Sequence, residues 1–405
     1  MKIPKGFTFS TAEAGIKKPG RKDLALIYSE EAAAAAGVFT TNKIKGAPVK
    51  LDIARIRSGM AQAIIANSGN ANVCTGRQGM LDAVEMARLA AEGLGIDEDL
   101  VFVCSTGVIG TPLPMDRIRP RIHELAKGVN PAKGINPVKG RARTSIEDAA
   151  RAIMTTDTFP KTAAKSFRIS GMEVRIAAIA KGSGMIHPNM ATMLCFIMTD
   201  LSIGKGLLQK ALKASVEKSF NRITVDGDTS TSDTVLIMAN GLAGNPPMAE
   251  SSEGYAAFRK ALDQTTGLLA RMVAADGEGA TKLIEVLVKG AATKKDALRG
   301  AASIANSPLV KTALYGNDAN WGRIMMALGK SGIAIEEEKV DIYLKRLKIV
   351  EKGMSMGKDD EAGSLLRESK EIKLTVDLNM GPHSEEILTC DFTEQYVRIN
   401  AEYRT

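Results

Sequence analysis

The chain has 405 residues, room for two or three domains, and its 44% hydrophobic and 25% charged residues are those of an ordinary soluble protein. No apolar run is long enough to span a bilayer, and the start, Met1-Lys-Ile-Pro-Lys-Gly6, has no apolar signal region, so a cytoplasmic location is expected. The formal charge of +8 is scattered and only 4% of residues are aromatic, which argues against nucleic acid as a partner and suits acidic small molecules.

The first third reads as short strands alternating with Ala-rich helices. Residues 24–27 and 37–41 are expected strands around a turn or helix at 31–36, and 63–66 is another strand. That strand runs into Asn67-Ser-Gly-Asn-Ala-Asn-Val-Cys-Thr-Gly76. Such a tract is either a turn or a set of amides and backbone N–H groups aimed at a ligand. A helix at 82–94 follows, with Gly95 as its end. The strand 100–104 empties into Ser105-Thr-Gly-Val-Ile-Gly110, ahead of a helix at 115–127. A Thr-Gly loop there is either a plain β-turn or a hydroxyl beside an unpaired N–H, the donors that an oxyanion hole needs.

Residues 128–144 carry Gly, Pro and Lys and read as an exposed connection. Ser145-Ile-Glu-Asp148 resembles a capping box and opens a helix through Met154. Next comes Thr155-Thr-Asp-Thr-Phe-Pro-Lys161, a polar loop or part of a pocket. A hairpin over 165–180 then delivers Lys181-Gly-Ser-Gly-Met-Ile-His-Pro-Asn-Met-Ala-Thr-Met-Leu194. The first half of this string is a tight loop, and from Thr192 the pattern turns into the apolar run of a buried strand. Thr192 therefore sits where a constrained loop meets a core strand, behind the small Ala191. A threonine hydroxyl is a poor nucleophile without a base beside it. A cut between Ala191 and Thr192 would supply one, the freed α-amine, whose reference pKa is about 8.

Downstream, 205–220 keeps the spacing of an amphipathic helix. Thr224-Val-Asp-Gly-Asp-Thr-Ser-Thr-Ser-Asp233 has the acids of a calcium loop without the EF-hand ligand order or terminal glutamate, so it reads as a hydroxyl-rich turn with no metal. A strand at 234–238 and a helix at 254–275 lead to Asp276-Gly-Glu-Gly279. Glu278 there is either an exposed acid at a helix end or a group free to point at a site. A strand at 283–288 and a helix at 292–306 follow, and then Gly316–Arg323, with the sole tryptophan, reads as packing or a subunit contact. Period-two strands are expected at 340–344, 372–378 and 386–392, a loop at 351–370, and a strand-like run at 396–399. The composition shift divides the chain into a catalytic domain, 1–279, and a smaller α/β domain, 280–405. The four cysteines, Cys74, Cys104, Cys195 and Cys390, form no C-x-x-C pair, which argues against zinc and for a reducing compartment.

As whole strings, these motifs resemble the self-cleaving ornithine acetyltransferase family, the glutamate N-acetyltransferases of the cyclic arginine pathway. The resemblance runs from Pro4-Lys-Gly-Phe7 to the last residue. It implies an α/β (α+β) fold, a four-layer α/β/β/α sandwich related to N-terminal-nucleophile hydrolases, with a smaller C-terminal α/β domain. It implies self-cleavage between Ala191 and Thr192, Thr192 as nucleophile, and Thr106 and Gly107 as the oxyanion hole. Thr155, Lys181, Thr192, Glu278, Asn400 and Thr405 would contact substrate, Glu278 receiving the α-ammonium. The implied reaction moves an acetyl group from N2-acetyl-L-ornithine to L-glutamate through an acetyl-threonine, in a ping-pong cycle. No cofactor and no metal are implied, because the enzyme itself carries the acyl group, and acetyl-CoA stays open as a second donor. The cleaved chains are expected to stay associated and to pair as α2β2.

Three rivals stand beside this reading. An aminopeptidase or amidase on the same scaffold would pass the acyl group to water. A basic RNA- or nucleotide-binding protein would need a G-x-x-x-x-G-K-[ST] loop or an RNA-binding aromatic signature, and the sequence has neither. A Ser/Thr enzyme with His187 as base would use one of only three histidines, five residues from Thr192 and outside the family's catalytic positions.

Overall fold

The computed structural model describes residues 1–129, 144–187 and 193–402. Ala191, Thr192, Thr405 and most of the expected connection at 128–144 lie outside the described residues. In chain order the elements are β1 (Phe7–Ala12), β2 (Leu24–Phe39), α1 (Ala47–Arg55), β3 (Met60–Asn70), α2 (Gly76–Leu94), β4 (Val101–Val108), α3 (Met115–Val129) and α4 (Ile146–Ala152). Then come β5 (Lys161–Ile169), β6 (Met172–Lys181), β7 (Leu194–Thr199), α5 (Lys205–Lys218), β8 (Thr234–Ala239) and α6 (Glu253–Ala275). The remainder is β9 (Leu283–Ala291), α7 (Lys294–Ala305), α8 (Pro308–Tyr315), α9 (Trp321–Gly329), β10 (Asp341–Leu344), β11 (Leu347–Glu351), β12 (Met354–Ser355), α10 (Asp359–Glu368), β13 (Glu371–Asp377), β14 (His383–Cys390) and α11 (Glu394–Ala401).

These elements form two compact units. The first takes Met1–Gly182, residues 193–221 and Thr229–Ala270. Its sheet has the order β4-β3-β2-β8-β7-β6-β5, with β1 on β2. Alternate residues from both halves of this sheet meet in one apolar cluster: Ala25, Ile27, Ile64 and Phe102 with Ile179, Phe196, Met198 and Leu236. The sheet therefore folds on itself into two layers. The outer face of β2, β3 and β4 packs Leu26, Ile65 and Val103 against Met86 and Ala90 of α2 and Ile118 and Ile122 of α3. On the other half, the alternate residues Ile176, Ala178, Cys195, Ile197, Val235 and Ile237 are buried as well. Gln209 of α5 exchanges hydrogen bonds with Gly37, and Phe258 of α6 lies 6.4 Å from Phe167 of β5. The Ser215 and Thr266 hydroxyls tie α5 to α6 at 2.7 Å. This is the four-layer α/β/β/α arrangement.

The second unit takes 183–187, Arg222–Asp228 and 271–402. Its sheet has the order β12-β11-β10-β13-β9-β14, with β9 and β13 parallel. Ile284, Val286 and Val288 of β9 pack against Ala301 and Ile304 of α7 and Ile324 and Leu328 of α9. The segment 183–187 belongs here because Ile186 O receives the N–H of Val225 (2.9 Å), while Leu388 O receives that of Thr224 (2.9 Å).

Three local expectations are corrected. The turn or helix at 31–36 does not form, because β2 runs unbroken from Leu24 to Phe39 with one register irregularity between Tyr28 and Ala33. Alanine favours helix, but Ala34 is flanked on both sides, by Met60 and Ala239, and Ala33 and Ala35 fill the inner layer. Two rows of ladder bonds and burial outweigh a propensity of a few tenths of a kcal/mol per residue. The expected loop at 351–370 contains α10, which buries Ala362 and Leu366. The strand-like run at 396–399 is α11. Thr393 caps it by accepting the Gln395 N–H at 3.2 Å, and Phe392 stacks on Tyr396 at 4.8 Å. Tyr396 and Ile399, three apart, are half-buried, while Val397 is 68% exposed. The apolar spacing is that of one helix face rather than of a strand.

Candidate active site

Thr106 and Gly107 were expected in a loop, but they lie inside β4, which continues to Val108. β4 runs parallel to β3, with Ser68 opposite Thr106 and Gly69 opposite Gly107, and the register breaks just after. Gly107 has φ 134, and a Cβ there would lie 2.3 Å from Gly69 C and 2.5 Å from Asn70 N. Only glycine fits, so the ladder loosens at the Thr-Gly pair. The Asn-rich tract is neither a plain turn nor a set of amides aimed at a ligand: residues 67–70 close β3, and the amides bond to nearby backbone. Asn67 Nδ2 donates to Asn70 O (2.8 Å), Asn70 Nδ2 to Thr111 O (2.9 Å) and Asn72 Nδ2 to Gly79 O (2.8 Å). These amides hold their own backbone in place beneath the strand end.

Lys181, last residue of β6, donates to Thr155 Oγ1 at 2.7 Å. Both residues meet at Asp157, which the sequence reading missed. Asp157 accepts Lys161 Nζ at 2.7 Å and the backbone N–H groups of Gly182 (2.7 Å) and Thr155 (3.0 Å). Lys181 Nζ lies 3.8 Å from its second oxygen. The Asp157 and Lys161 side chains are wholly buried. Burial alone would raise the Asp157 carboxyl, but the ammonium groups of Lys181 and Lys161, with the two donated bonds from Lys161 and Gly182, hold it at about 2. It is an anion that fixes two lysines. The only sequence signal was an acid four residues before a lysine, outside any helix, and that pattern is too common to single out.

Met193 is the first described residue after the expected cleavage pair. Its N–H donates to Asp233 Oδ1 at 2.9 Å, and its carbonyl accepts the N–H of Thr234 at 3.0 Å. Asp233 is buried, and burial pushes its carboxyl well above the usual range, against the opposing effect of the Met193 N–H. The residue following Thr192 is thus pinned from both sides. The sequence placed Asp233 merely at the end of a hydroxyl-rich turn.

In the second unit, Asn400 Nδ2 donates to Glu278 Oε2 at 2.7 Å, and Glu278 N–H donates to Ser183 O at 2.9 Å. A Cβ at Gly184 would strike the Glu278 carboxylate at 2.4–2.6 Å, so the Gly-Ser-Gly loop needs glycine where it passes this acid. The same loop is clamped by Asp226, which accepts the N–H groups of Met185 (2.5 Å) and Ile186 (2.9 Å). Tyr396 of α11 donates its hydroxyl to the same carboxylate at 3.4 Å. Glu278 and Asn400 are therefore brought together, as are Thr155 and Lys181, while Ala191, Thr192 and Thr405 lie outside the described residues. His187 is half-buried, and its Nδ1 has no hydrogen-bond partner. Burial lowers its pKa, with Asp228 and Asn306 acting in the opposite sense. Among the described residues no group of three His, Cys, Asp or Glu side chains is placed to hold a metal ion.

The ArgJ family model matches residues 8–405. The arginine biosynthesis bifunctional protein ArgJ of Geobacter sulfurreducens is 50% identical over 402 residues, 99% of each chain. The protein of that name from Symbiobacterium thermophilum is 52% identical over 404 residues, covering 99% of this chain and 98% of its own. The crystal structure of the arginine biosynthesis bifunctional protein ArgJ from Bacillus halodurans is similar at 46% identity, with a TM-score of 0.49, over 51% of this chain and 97% of that one. A family match that starts at β1 and reaches the last residue, with end-to-end likeness to both relatives, leaves one assignment: the chain belongs to the ArgJ family.

Proposed function

We propose that this ArgJ-family acyltransferase moves the acetyl group of N2-acetyl-L-ornithine to L-glutamate after cutting itself between Ala191 and Thr192. The observation that carries the reading is the end-to-end likeness to relatives named as arginine biosynthesis bifunctional proteins. The Thr192 hydroxyl attacks the amide carbonyl, and its own α-amine takes the hydroxyl proton. Thr106 and Gly107 receive the charge that develops on the carbonyl oxygen. The α-amine returns the proton to the departing nitrogen of ornithine, which leaves acetyl-Thr192. Glutamate then attacks that ester through its α-amine, and the same base passes the proton back to Thr192. Thr155, Lys181, Glu278, Asn400 and Thr405 hold the amino-acid portions of the substrates. The buried Asp157, which fixes Lys181 beside Thr155, supports a binding role for that pair.

The word bifunctional in the relatives' names supports acetyl-CoA as a second acetyl donor to glutamate. No cofactor is needed on this route, since the acyl group rides on the protein. Cytoplasmic location and an α2β2 assembly of the cleaved chains complete the proposal. No helix among the described residues is long and apolar enough to cross a membrane.

The test is an assay of the purified protein with glutamate and either acetylornithine or acetyl-CoA, beside the Thr192→Ala variant. Acetylglutamate should form, the wild type should run as two fragments, and Thr192→Ala should stay whole and inactive. Free acetate in place of acetylglutamate would make the protein an amidase, and an active uncut chain would remove the amine as base.

A further inference from the structure

The N-terminal loop carries a cation that the mechanism above leaves unused. Asp23, buried just before β2, accepts three backbone N–H bonds, from Ala14 (2.7 Å), Ile16 (2.6 Å) and Lys17 (3.2 Å). A carboxylate with that many backbone donors fixes the loop, so the Lys17 side chain departs from a set point. Its stem lies across Gly69, where an added Cβ would meet Lys17 Cγ at 2.9 Å. Gly69 is the register partner of Gly107. At its tip, Lys17 Nζ donates to Met154 O at 3.0 Å and Ala152 O at 3.4 Å, the carbonyls just before Thr155. Ala152 O also receives the Ser68 hydroxyl at 2.6 Å, and Ser68 is the register partner of Thr106. Lys17 therefore touches both the strand pair that carries Thr106 and Gly107 and the loop that presents Thr155.

The two aspartates nearest to it are already engaged. Asp157 is shared between Lys161 and Lys181, and Asp23 is occupied by backbone donors. Burial, with Arg21 and Lys181 adding like charge, lowers the Lys17 pKa to about 8, although Asp23 and Asp157 oppose the shift. Lys17 is still mainly a cation at neutral pH, half-buried, with two of its three N–H donors on carbonyls. An arriving carboxylate would bring an opposite charge to this cation and accept the third donor.

We propose that Lys17 is a substrate-contact residue which, with Lys181, receives the carboxylate shared by acetylornithine and glutamate. The assignment rests on the acetyl-transfer reading above. The competing account is that Lys17 only caps the carbonyls at the end of α4.

The two accounts part in steady-state kinetics of wild type, Lys17→Met and Lys17→Arg with acetylornithine, glutamate and N2-acetylornithinamide, in which the carboxylate is a neutral amide. Lys17→Met keeps a stem over Gly69 and should raise KM for both carboxylate substrates roughly tenfold or more, since a charge-assisted bond is lost. Its kcat should stay within about threefold, because the contact is equal in ground and transition states. Lys17→Arg should recover most of the binding. Wild type should lose at least that factor on the neutral amide, which weakens both lysine contacts, and Lys17→Met should distinguish amide from carboxylate less than wild type does, keeping only the Lys181 share. Unchanged KM in Lys17→Met, or undiminished discrimination against the amide, overturns the assignment while acetyl transfer stands. A wild type that transfers no acetyl group overturns the functional reading and this assignment with it. Lys17→Gln, which can still donate to the two carbonyls, guards against misfolding and should show the same rise in KM. Misfolding of both neutral variants assigns Lys17 to the fold and overturns the proposal.

Discussion

Two loops of the first unit each bury an aspartate, and they treat it oppositely. Before β5, Asp157 meets two lysines and two backbone N–H groups and stays ionised. Before β8, Asp233 meets one backbone N–H at Oδ1, with Ser230, Thr40 and the more distant charge of Lys181 acting in the same sense, and these do not outweigh its burial. Burial acts on both in the same direction, so the partners decide the outcome. The contrast shows how one sheet can hold an anion that positions cations and, a few strands away, a carboxyl that burial pushes upward. Asp157 organises Lys161 and Lys181. Asp233 holds the backbone next to the expected cleavage site.

The largest effect should come from breaking the paired site. Asp157→Asn removes the buried carboxylate that Lys161 and Lys181 share and should cost about 3–5 kcal/mol of stability, read from urea unfolding. A loss below about 1 kcal/mol would mean that other interactions of Lys161 and Lys181 hold their charges.

Next in size is the acid limb. The folded pKa of Asp157, about 2, lies below its unfolded value of about 3.9. Its contribution, about 2–3 kcal/mol, is therefore complete above pH 4 and is lost as pH falls from about 4 to about 2. Asp233 has the opposite sign. Its folded pKa is raised, so its favourable contribution is present below about pH 3.9 and is lost as pH rises toward the folded value. Unfolding curves collected across pH should show the first limb vanish in Asp157→Asn and persist in variants of Asp233. An acid limb that survives in Asp157→Asn would assign it to other carboxylates.

Asp233→Ala should cost less, about 1–3 kcal/mol, since it strands the buried Met193 N–H. Asp233→Asn should cost least, within about 1 kcal/mol of wild type at neutral pH, because a neutral amide still offers Met193 an acceptor. If Asp233→Asn proved as damaging as Asp157→Asn, the carboxyl would have to be charged in the folded protein, and the contrast between the two loops would fail.

Legibility followed the range of the interactions. The helix opened by Ser145 was readable because its capping box is local: Ser145 and Asp148 satisfy each other's backbone N–H in the structure as their spacing suggested. Gly95 ends α2 with φ 73, as a glycine after a periodic run should. The hairpin of β5 and β6, the buried run of β7 and the amphipathic α5 were equally plain. The residues at 31–36 misled because helix propensity is local while their strand partners come from β3 and β8. α11 misled because four residues cannot separate period two from period 3.6, and the packing of Phe392 on Tyr396 arbitrates. Lys17 had no motif at all, since it reaches Met154 across 137 positions.

By itself the sequence determined the family, because its long strings around Thr106, Lys181, Thr192 and Glu278 are specific as strings, and it determined the helices and turns whose caps and glycines lie within a few residues. The tertiary structure alone decided which buried carboxylate keeps its charge and which cation stands over Gly69. Those properties depend on partners brought from distant segments into a low-dielectric interior, where a single ammonium or N–H group changes the balance and the spacing along the chain records nothing of it.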